Sequence, residues 1–375
     1  MIKCVAIYPG EINEKYIQKV KDVVKLASKY HFDEIFTSIH LPEYSLQQQL
    51  DTCGLISQQA KEYSLELTVD IGGYFIGQLL SDPIKLNDFK QMRADFIRLD
   101  YGYKKEEVKA LYESLNIRGF VINASIYNKK EVDDNLNFFR SLDENIEIRA
   151  CHNYYVRQES GIDDVYALKQ DSYFEEYNMP IYYCVPTYSH PRGPLHLGLC
   201  TLEKHRFKSI DEVITDLYLN HNLNALMIAD EWLNEKEFQE VEDTLNLLQE
   251  PFDKTQQIDV IFNPTTTKEE KNIVLKDHVF RYDSPYQFLR SQSSRQMAEF
   301  ASVIKQNNTL ERKAGDITID NELYKRYSGE LQVVTQDSLA DERVNVVAKL
   351  ADRKDLIKLL RFREGITYHF NEVAK

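Results

Sequence analysis

The hydrophobic and polar positions fall into two textures along the chain. In the first two thirds, short apolar runs alternate with longer stretches in which apolar residues recur every three or four positions. The runs are KCVAIY (3–8), EIFTS (34–38), LELTVD (65–70), FIRLD (96–100), GFVIN (119–123), IEIRAC (146–151), IYYCVP (181–186) and ALMIAD (225–230). Runs that are largely apolar suit strands of a parallel sheet buried on both faces. The amphipathic stretches include 13–30, 44–62, 104–115, 129–142, 163–177 and 210–220, and a last one, 235–250, follows the eighth run. Eight alternations of strand and helix in about 250 residues predict an α/β fold, a (β/α)8 TIM barrel over residues 1–250. A doubly wound open sheet is the alternative, and the lack of a GxGxxG after the first run counts against it.

After PFDKT (251–255) the texture changes. Short β-like runs follow, IDVIF, HVFRY, ITI, ELQVV and NVVAKL, separated by the turn-like KAGDITIDN and RYSGEL. Helical periodicity is weak outside QFLRSQSSRQMAEFASVI (287–304). Residues 256–375 are therefore expected to form a second, smaller, mostly β domain. Its strands are candidates either for completing a pocket or for building a homo-oligomer.

Composition narrows the function classes. The chain of 375 residues carries 46 Lys plus Arg against 60 Asp plus Glu, a formal charge of −14. That balance argues against non-specific nucleic-acid binding and against docking on anionic lipid. The first apolar run is too short for a signal peptide or a membrane span, and no later run reaches 18 apolar residues. A cytoplasmic protein is expected. The five Cys are scattered without a CxxC pair and read as buried thiols, with Cys200 the one to watch for reactivity.

In such a barrel the chemistry sits on the loops that follow the strands. The second run is followed by Ser38, His40 and Glu43; the third ends in Asp70; the fourth in Asp100; the fifth in Asn123. The sixth leads into His152, Asn153, Tyr154 and Arg157, and the eighth ends in Asp230. The seventh opens into a long loop, 187–209, whose segment RGPLHLGLCTLEKHR (192–206) concentrates Arg192, Gly193, Glu203, His205 and Arg206. A cluster of basic side chains in an acidic protein suggests a bound dianion, and guanidinium groups match phosphate bidentately. The strand ends lack Lys for Schiff-base chemistry, and no GxSxG nucleophile motif is present. Carboxylates with amides and tyrosines are what glycoside cleavage requires, one carboxylic acid protonating the leaving oxygen and a second carboxylate attacking or activating water.

IFTSIHLPE (35–43), RLDYGY (98–103), INAS (122–125), HNYYVRQESG (152–161) and RGPLHLGLCTLEKHR (192–206) resemble the motif series of the bacterial 6-phospho-N-acetylmuramidases. RKAGDITIDN and YKRYSGELQV are similar to that family's cyclophilin-like C-terminal β domain. The resemblance implies hydrolysis of the β-1,4 bond of MurNAc-6-phosphate–GlcNAc in cell-wall recycling, with neither cofactor nor metal. It implies catalytic Asp70 and Asp100 with Glu203 and Asp230 in reserve. Substrate binding falls to Ser38, His40, Glu43, Asn123, His152, Asn153 and Tyr154, and phosphate binding to Arg157, Arg192, Gly193, His205 and Arg206. The sequence departs from the family pattern at YYVRQ (154–158), PTYSH (186–190) and Cys200, which bears on the acyl and lactyl groups. The general acid is expected to be the more desolvated carboxylate. Two other readings stay open: a barrel that senses a phosphosugar without cleaving it, and a metal-dependent hydrolase or isomerase using His40, His152 and Asp230.

Overall fold

Eight short runs pair in sequence order, each parallel to the next, and the last pairs with the first. They are β1 (Ile2–Ala6), β2 (Glu34–Ser38), β3 (Glu66–Ile71), β4 (Phe96–Leu99), β5 (Gly119–Asn123), β6 (Glu147–Cys151), β7 (Ile181–Val185) and β8 (Ala225–Ile228). The computed structural model describes all residues except 101, 252, 296–303, 362–365 and 375. The chain divides into two compact units, Met1–Asp243 and Thr244–Lys375. The closed eight-stranded barrel of the first is the expected (β/α)8 fold.

The helices that return the chain are α1 (Glu14–Lys29), α2 (Leu46–Glu62), α3 (Gly73–Ser81), α4 (Pro83–Gln91), α5 (Lys105–Ser114), α6 (Lys129–Leu142), α7 (Asp164–Glu175), α8 (Ile210–Asn220) and α9 (Glu235–Gln249). Local chemistry fixes their starts. Ser45 with Gln48, and Asn128 with Glu131, form reciprocal capping boxes, and Asp163 accepts from the Tyr166 N–H. The helices α3 and α4 lie outside the amphipathic stretches named above, for a physical reason. GYFIGQLLS is apolar with little stripe, and Asp82–Pro83 breaks the pattern by capping and starting a second helix. At the start of α3 a Cβ on Gly73 would lie 2.2 Å from the Gly102 carbonyl oxygen, so only glycine lets these two loops touch.

Side chains alternate along each strand, so every second residue faces the barrel axis. The interior is filled by Cys4, Ala6, Phe36, Phe96, Val121, Cys151, Tyr182, Cys184, Ala225 and Met227. Below this layer, at the strand starts, Arg149 donates to Glu34 at 2.8 Å, Glu66 at 2.9 Å and Glu147 at 2.9 Å. Its guanidinium lies 3.7 Å from the centre of the Phe96 ring. Glu34 also accepts the Tyr182 hydroxyl at 2.5 Å. Burying these charges is tolerable only because each has its partner, and the cluster plugs the end of the barrel opposite the site described below.

The second unit contains a seven-stranded sheet in the order β10-β15-β9-β14-β12-β13-β11. The strands are β9 (Thr255–Phe262), β10 (Asp277–His278), β11 (Phe288–Arg290), β12 (Asp316–Asp320), β13 (Leu331–Val334), β14 (Val344–Leu350) and β15 (Thr367–Glu372), with helices α10 (Lys268–Val274) and α11 (Arg353–Leu360). Ile258, Val260, Ile317, Ile319, Leu331, Val333, Tyr368 and Phe370 form its core. Two strands differ from the sequence expectation. Phe288–Arg290 opens the stretch read as helical, yet it pairs with β13; residues 296–303 of that stretch lie outside the described residues. β15 buries only Tyr368 and Phe370 between polar neighbours, too few apolar positions to stand out as a run.

Asp320, at the end of β12, is buried, and its two oxygens share one neutral donor, the Gln332 amide, at 3.3 Å each. Burial, with Glu330 and Asp341 nearby, pushes its carboxyl up to about 8. An unfolded chain releases this proton near pH 4. Between pH 4 and 8 the native state therefore holds a proton the unfolded state has lost, and stability falls as pH rises through that window. Asp320→Asn removes the charge. Its calorimetric melting temperature is expected to exceed wild type by roughly 3–8 °C at pH 9, with the two curves converging towards pH 4; parallel curves would contradict this origin.

Candidate active site

The register of neighbouring strands builds the site. Ser38 is the partner of Asp70, and Asp70 of Arg98, so three polar side chains stand side by side at the C-terminal end of β2, β3 and β4. Arg98 Nη1 donates to Asp70 Oδ1 at 2.7 Å, and Nη2 donates to Asn153 Oδ1 at 2.8 Å. The Asn123 amide donates to the same Asn153 oxygen at 2.8 Å. Two residues further along their strands, His40 and Asp100 form the next level. His40 Nδ1 lies 3.2 Å from Asp70 Oδ2 and 3.3 Å from Ser38 Oγ, and its Nε2 is 3.9 Å from Asp100 Oδ2. Asp100 Oδ1 is 3.6 Å from Arg98 Nη1.

Arg98 and His40 thus each span both carboxylates, but unequally. The Asp70 side chain is 4% exposed with both oxygens engaged at short range; that of Asp100 is 34% exposed and held only by the longer contacts. Asp70 is a clamped charge, and Asp100 is the carboxylate a substrate can reach. Of the two, Asp70 is the more desolvated, the property expected of the general acid, and Asp100 is the more accessible. Glu43 is exposed on the turn after β2. Tyr101, within the RLDYGY motif, lies outside the described residues.

Across the mouth, the Arg192 guanidinium stacks on the Tyr8 ring, 3.5 Å from its centre, and donates to the Tyr154 hydroxyl at 3.2 Å. Tyr8 is buried and its hydroxyl donates to the Ala229 carbonyl. Arg98, Arg149 and Arg206 each pair with a carboxylate. Arg192 is half-buried, and among the described residues it has no carboxylate at ion-pair distance. Asp230 explains how Arg192 is held. One oxygen accepts the Arg192 N–H at 2.8 Å, and the other accepts the N–H groups of Thr187 and Leu199 at 3.0 and 2.9 Å. A carboxylate so occupied pins the loop, Gly193 with it, and burial raises its pKa.

The remaining members of the basic segment do other work. The Arg206 guanidinium donates to Glu203 at 2.7 Å and to the carbonyls of Gly198, Tyr155 and Arg157. Its donors are directed inside the chain, whereas the sequence reading expected them to face a phosphate. Glu203, bonded to Arg206 and to the N–H groups of Glu159 and Gly161, is held down to about 2, so it is a loop clamp and a poor proton donor. His205 is buried against Asp216 at 2.7 Å, and burial lowers its pKa. Lys204 sits 2.6 Å from both Asp164 and Asp216, so its ammonium fills the gap between the two carboxylates, and His221 joins them through Asp164. Arg157 is exposed at the loop edge. His152 is buried with both ring nitrogens used, by Ser125 and Asp171. His40, His152 and Asp230 therefore face separate partners and do not gather as a metal set. Cys200 is buried, and burial pushes its thiol up to about 11, which removes the thiolate that reactivity needs.

Sequence reasoning missed Arg98 and Tyr8. The signal for Arg98 was present: in FIRLD an arginine stands two residues before Asp100, so it shares that residue's inward face. Tyr8 stands two residues after β1 but carries no charge to single it out.

Two solved structures are similar along the full length. A conserved protein of unknown function from Enterococcus faecalis is 26% identical, with 99% of this chain and 96% of that one covered and a TM-score of 0.61. An uncharacterized B. cereus protein is 21% identical, with 99% of each chain covered and a TM-score of 0.60, a likeness of fold. No curated protein matches. Family models described as the N-terminal and C-terminal parts of 6-phospho-N-acetylmuramidase match residues 4–243 and 256–370. These two matches follow one another along nearly the whole chain, and the protein therefore belongs to the 6-phospho-N-acetylmuramidase family of glycosidases.

Proposed function

We propose that this glycosidase hydrolyses the β-1,4 bond of MurNAc-6-phosphate–GlcNAc, releasing MurNAc 6-phosphate and GlcNAc in the cytoplasm during cell-wall recycling. The observation that carries the substrate class is Arg192, a half-buried guanidinium that lacks a carboxylate among the described residues, at the same mouth as the two acids. A half-buried cation left without a counter-ion is costly unless a ligand supplies one, and a sugar phosphate does so bidentately.

In the chemistry that follows, Asp100 gives its proton to the glycosidic oxygen as the bond to GlcNAc breaks, and a water then forms the new bond to the anomeric carbon while returning a proton to Asp100. Asp70, fixed by Arg98 and His40, presents negative charge to the oxocarbenium-like centre or orients the N-acetyl amide. Asn153 and Tyr154 line the path as partners for sugar hydroxyls, and the buried Asn123 braces Asn153 from behind. A sensor of phosphosugars has no need of two carboxylates spanned by one arginine and one histidine, and the glycosidase reading accounts for both.

The test compares the phosphorylated and unphosphorylated disaccharides. Arg192→Ala is expected to raise KM for the phosphorylated one by about 30-fold or more, since a charge-assisted bidentate contact contributes roughly 2 kcal/mol or more, and to leave the other nearly unchanged. Equal effects on both would move the phosphate elsewhere.

A further inference from the structure

Asn153 orients Arg98, and something must orient Asn153. Its side-chain oxygen accepts from both Arg98 Nη2 and Asn123 Nδ2, so a flipped amide would set N–H against guanidinium. Its backbone N–H donates to Ser125 Oγ at 2.9 Å. Ser125 in turn donates its own N–H to Asn123 Oδ1 at 2.8 Å, so one serine braces the Asn153 backbone and the Asn123 side chain.

The Ser125 hydroxyl lies 3.0 Å from His152 Nδ1, and His152 Nε2 lies 2.8 Å from Asp171 Oδ1. The second Asp171 oxygen accepts the Tyr183 hydroxyl at 2.5 Å. One proton assignment satisfies every group. Ser125 accepts from Asn153 and donates to Nδ1; Nε2–H then donates to Asp171. Asp171 belongs to α7, outside the barrel wall, and it, His152 and Ser125 are all buried. A continuous chain of hydrogen bonds thus runs from an outer helix through the wall to Asp70: Asp171, His152, Ser125, Asn153, Arg98, Asp70.

We propose that His152 and Asp171 are positioning residues for the reaction: they set the orientation of Ser125, and through Asn153 they hold Arg98 against Asp70. The proposal rests on reading this mouth as the glycosidase centre. His152, buried with both nitrogens bonded, does not meet substrate. Polar groups buried this deeply are costly unless fully satisfied, and an apolar pair would pack the same volume without that requirement. What the polar chain adds is direction: Ser125, fixed by His152, holds the Asn153 main-chain N–H and so the backbone from which the Asn153 side chain reaches Arg98. Misplacement of about 1 Å at a reacting centre costs about 100-fold, so a loose Arg98 is enough to slow turnover.

The experiment uses full-length Ser125→Ala, Asp171→Ala and Asp171→Asn, with kinetics on MurNAc-6-phosphate–GlcNAc and crystal structures of wild type and Ser125→Ala. Ser125→Ala and Asp171→Ala are expected to lower kcat by about 10- to 100-fold while KM shifts by no more than about threefold. Asp171→Asn keeps an acceptor for Nε2–H and is expected to recover most of kcat, which a loss of packing would not predict. In crystals of Ser125→Ala, the Arg98–Asn153 contact should open beyond hydrogen-bond distance. Unchanged kcat in both alanine variants overturns the proposal. If wild type leaves the disaccharide intact, the glycosidase reading fails, and the crystals alone decide the positioning role: an unmoved Arg98–Asn153–Asp70 geometry in Ser125→Ala rejects it. Should Asp171→Ala fail to fold, Ser125→Ala and Asp171→Asn give the same decision.

Discussion

Asp100→Asn is expected to lower kcat on MurNAc-6-phosphate–GlcNAc by about 100- to 10,000-fold, the usual contribution of a positioned general acid, with the melting temperature near wild type. The folding half of this prediction follows from exposure. The Asp100 side chain is a third exposed, and the side-chain nitrogens of Arg98 and His40 lie 3.6 and 3.9 Å from it. An amide of the same shape strands no buried charge there. The kinetic half follows from chemistry. GlcNAc is a poor leaving group unless its oxygen is protonated as the bond breaks, and an amide has no proton to give. The loss should shrink on an aryl glycoside of MurNAc 6-phosphate, whose phenolate leaves without help. An equal loss on both substrates would instead assign Asp100 the attack on the anomeric carbon. Wild-type activity on the disaccharide would remove Asp100 from the reaction.

Arg98→Met should damage both folding and turnover. Its guanidinium side chain is 9% exposed and its Nη1 sits 2.7 Å from a carboxylate that is 4% exposed. Removing one member of a buried pair leaves the other uncompensated, which costs about 3–5 kcal/mol. Turnover should fall by about 100-fold or more, because the same side chain fixes Asp70 and contacts Asp100. The double variant Asp70→Asn/Arg98→Met has no stranded charge and should regain most of the lost stability while staying inactive. Chemical denaturation with activity assays on the three variants checks this. An Arg98→Met protein as stable as wild type would mean that water, not Arg98, compensates Asp70.

The barrel was legible because its strands are short apolar runs and most of its helices carry a clear stripe. Where those signals fail, so does the reading. Helices α3 and α4 lack a continuous stripe, and β15 buries only two side chains. The rule that chemistry follows the strands brought Asp70, Asp100, His40, Asn153 and Arg192 to one mouth before any coordinates. It did not reveal what each charge is paired with. The segment 192–206 reads as a positive cluster because its neighbours in sequence are basic. Yet Lys204 is neutralised by Asp164 and Asp216, which the fold brings from two helices, His205 is buried against Asp216, and Arg206 is neutralised by Glu203, three residues away across a turn. Arg192 is left without such a partner among the described residues, and the exposed His196 faces only the Pro191 carbonyl. Likewise His152 reads as a ligand from its position after β6, whereas its partner Asp171 comes from the far face of the wall.

The most direct test of the account is a crystal structure of Asp100→Asn with uncleaved MurNAc-6-phosphate–GlcNAc. The account predicts the 6-phosphate on the Arg192 guanidinium, and the glycosidic oxygen within hydrogen-bond distance of the side chain at position 100. A disaccharide bound away from the barrel mouth, or one whose phosphate turns away from Arg192, would contradict it.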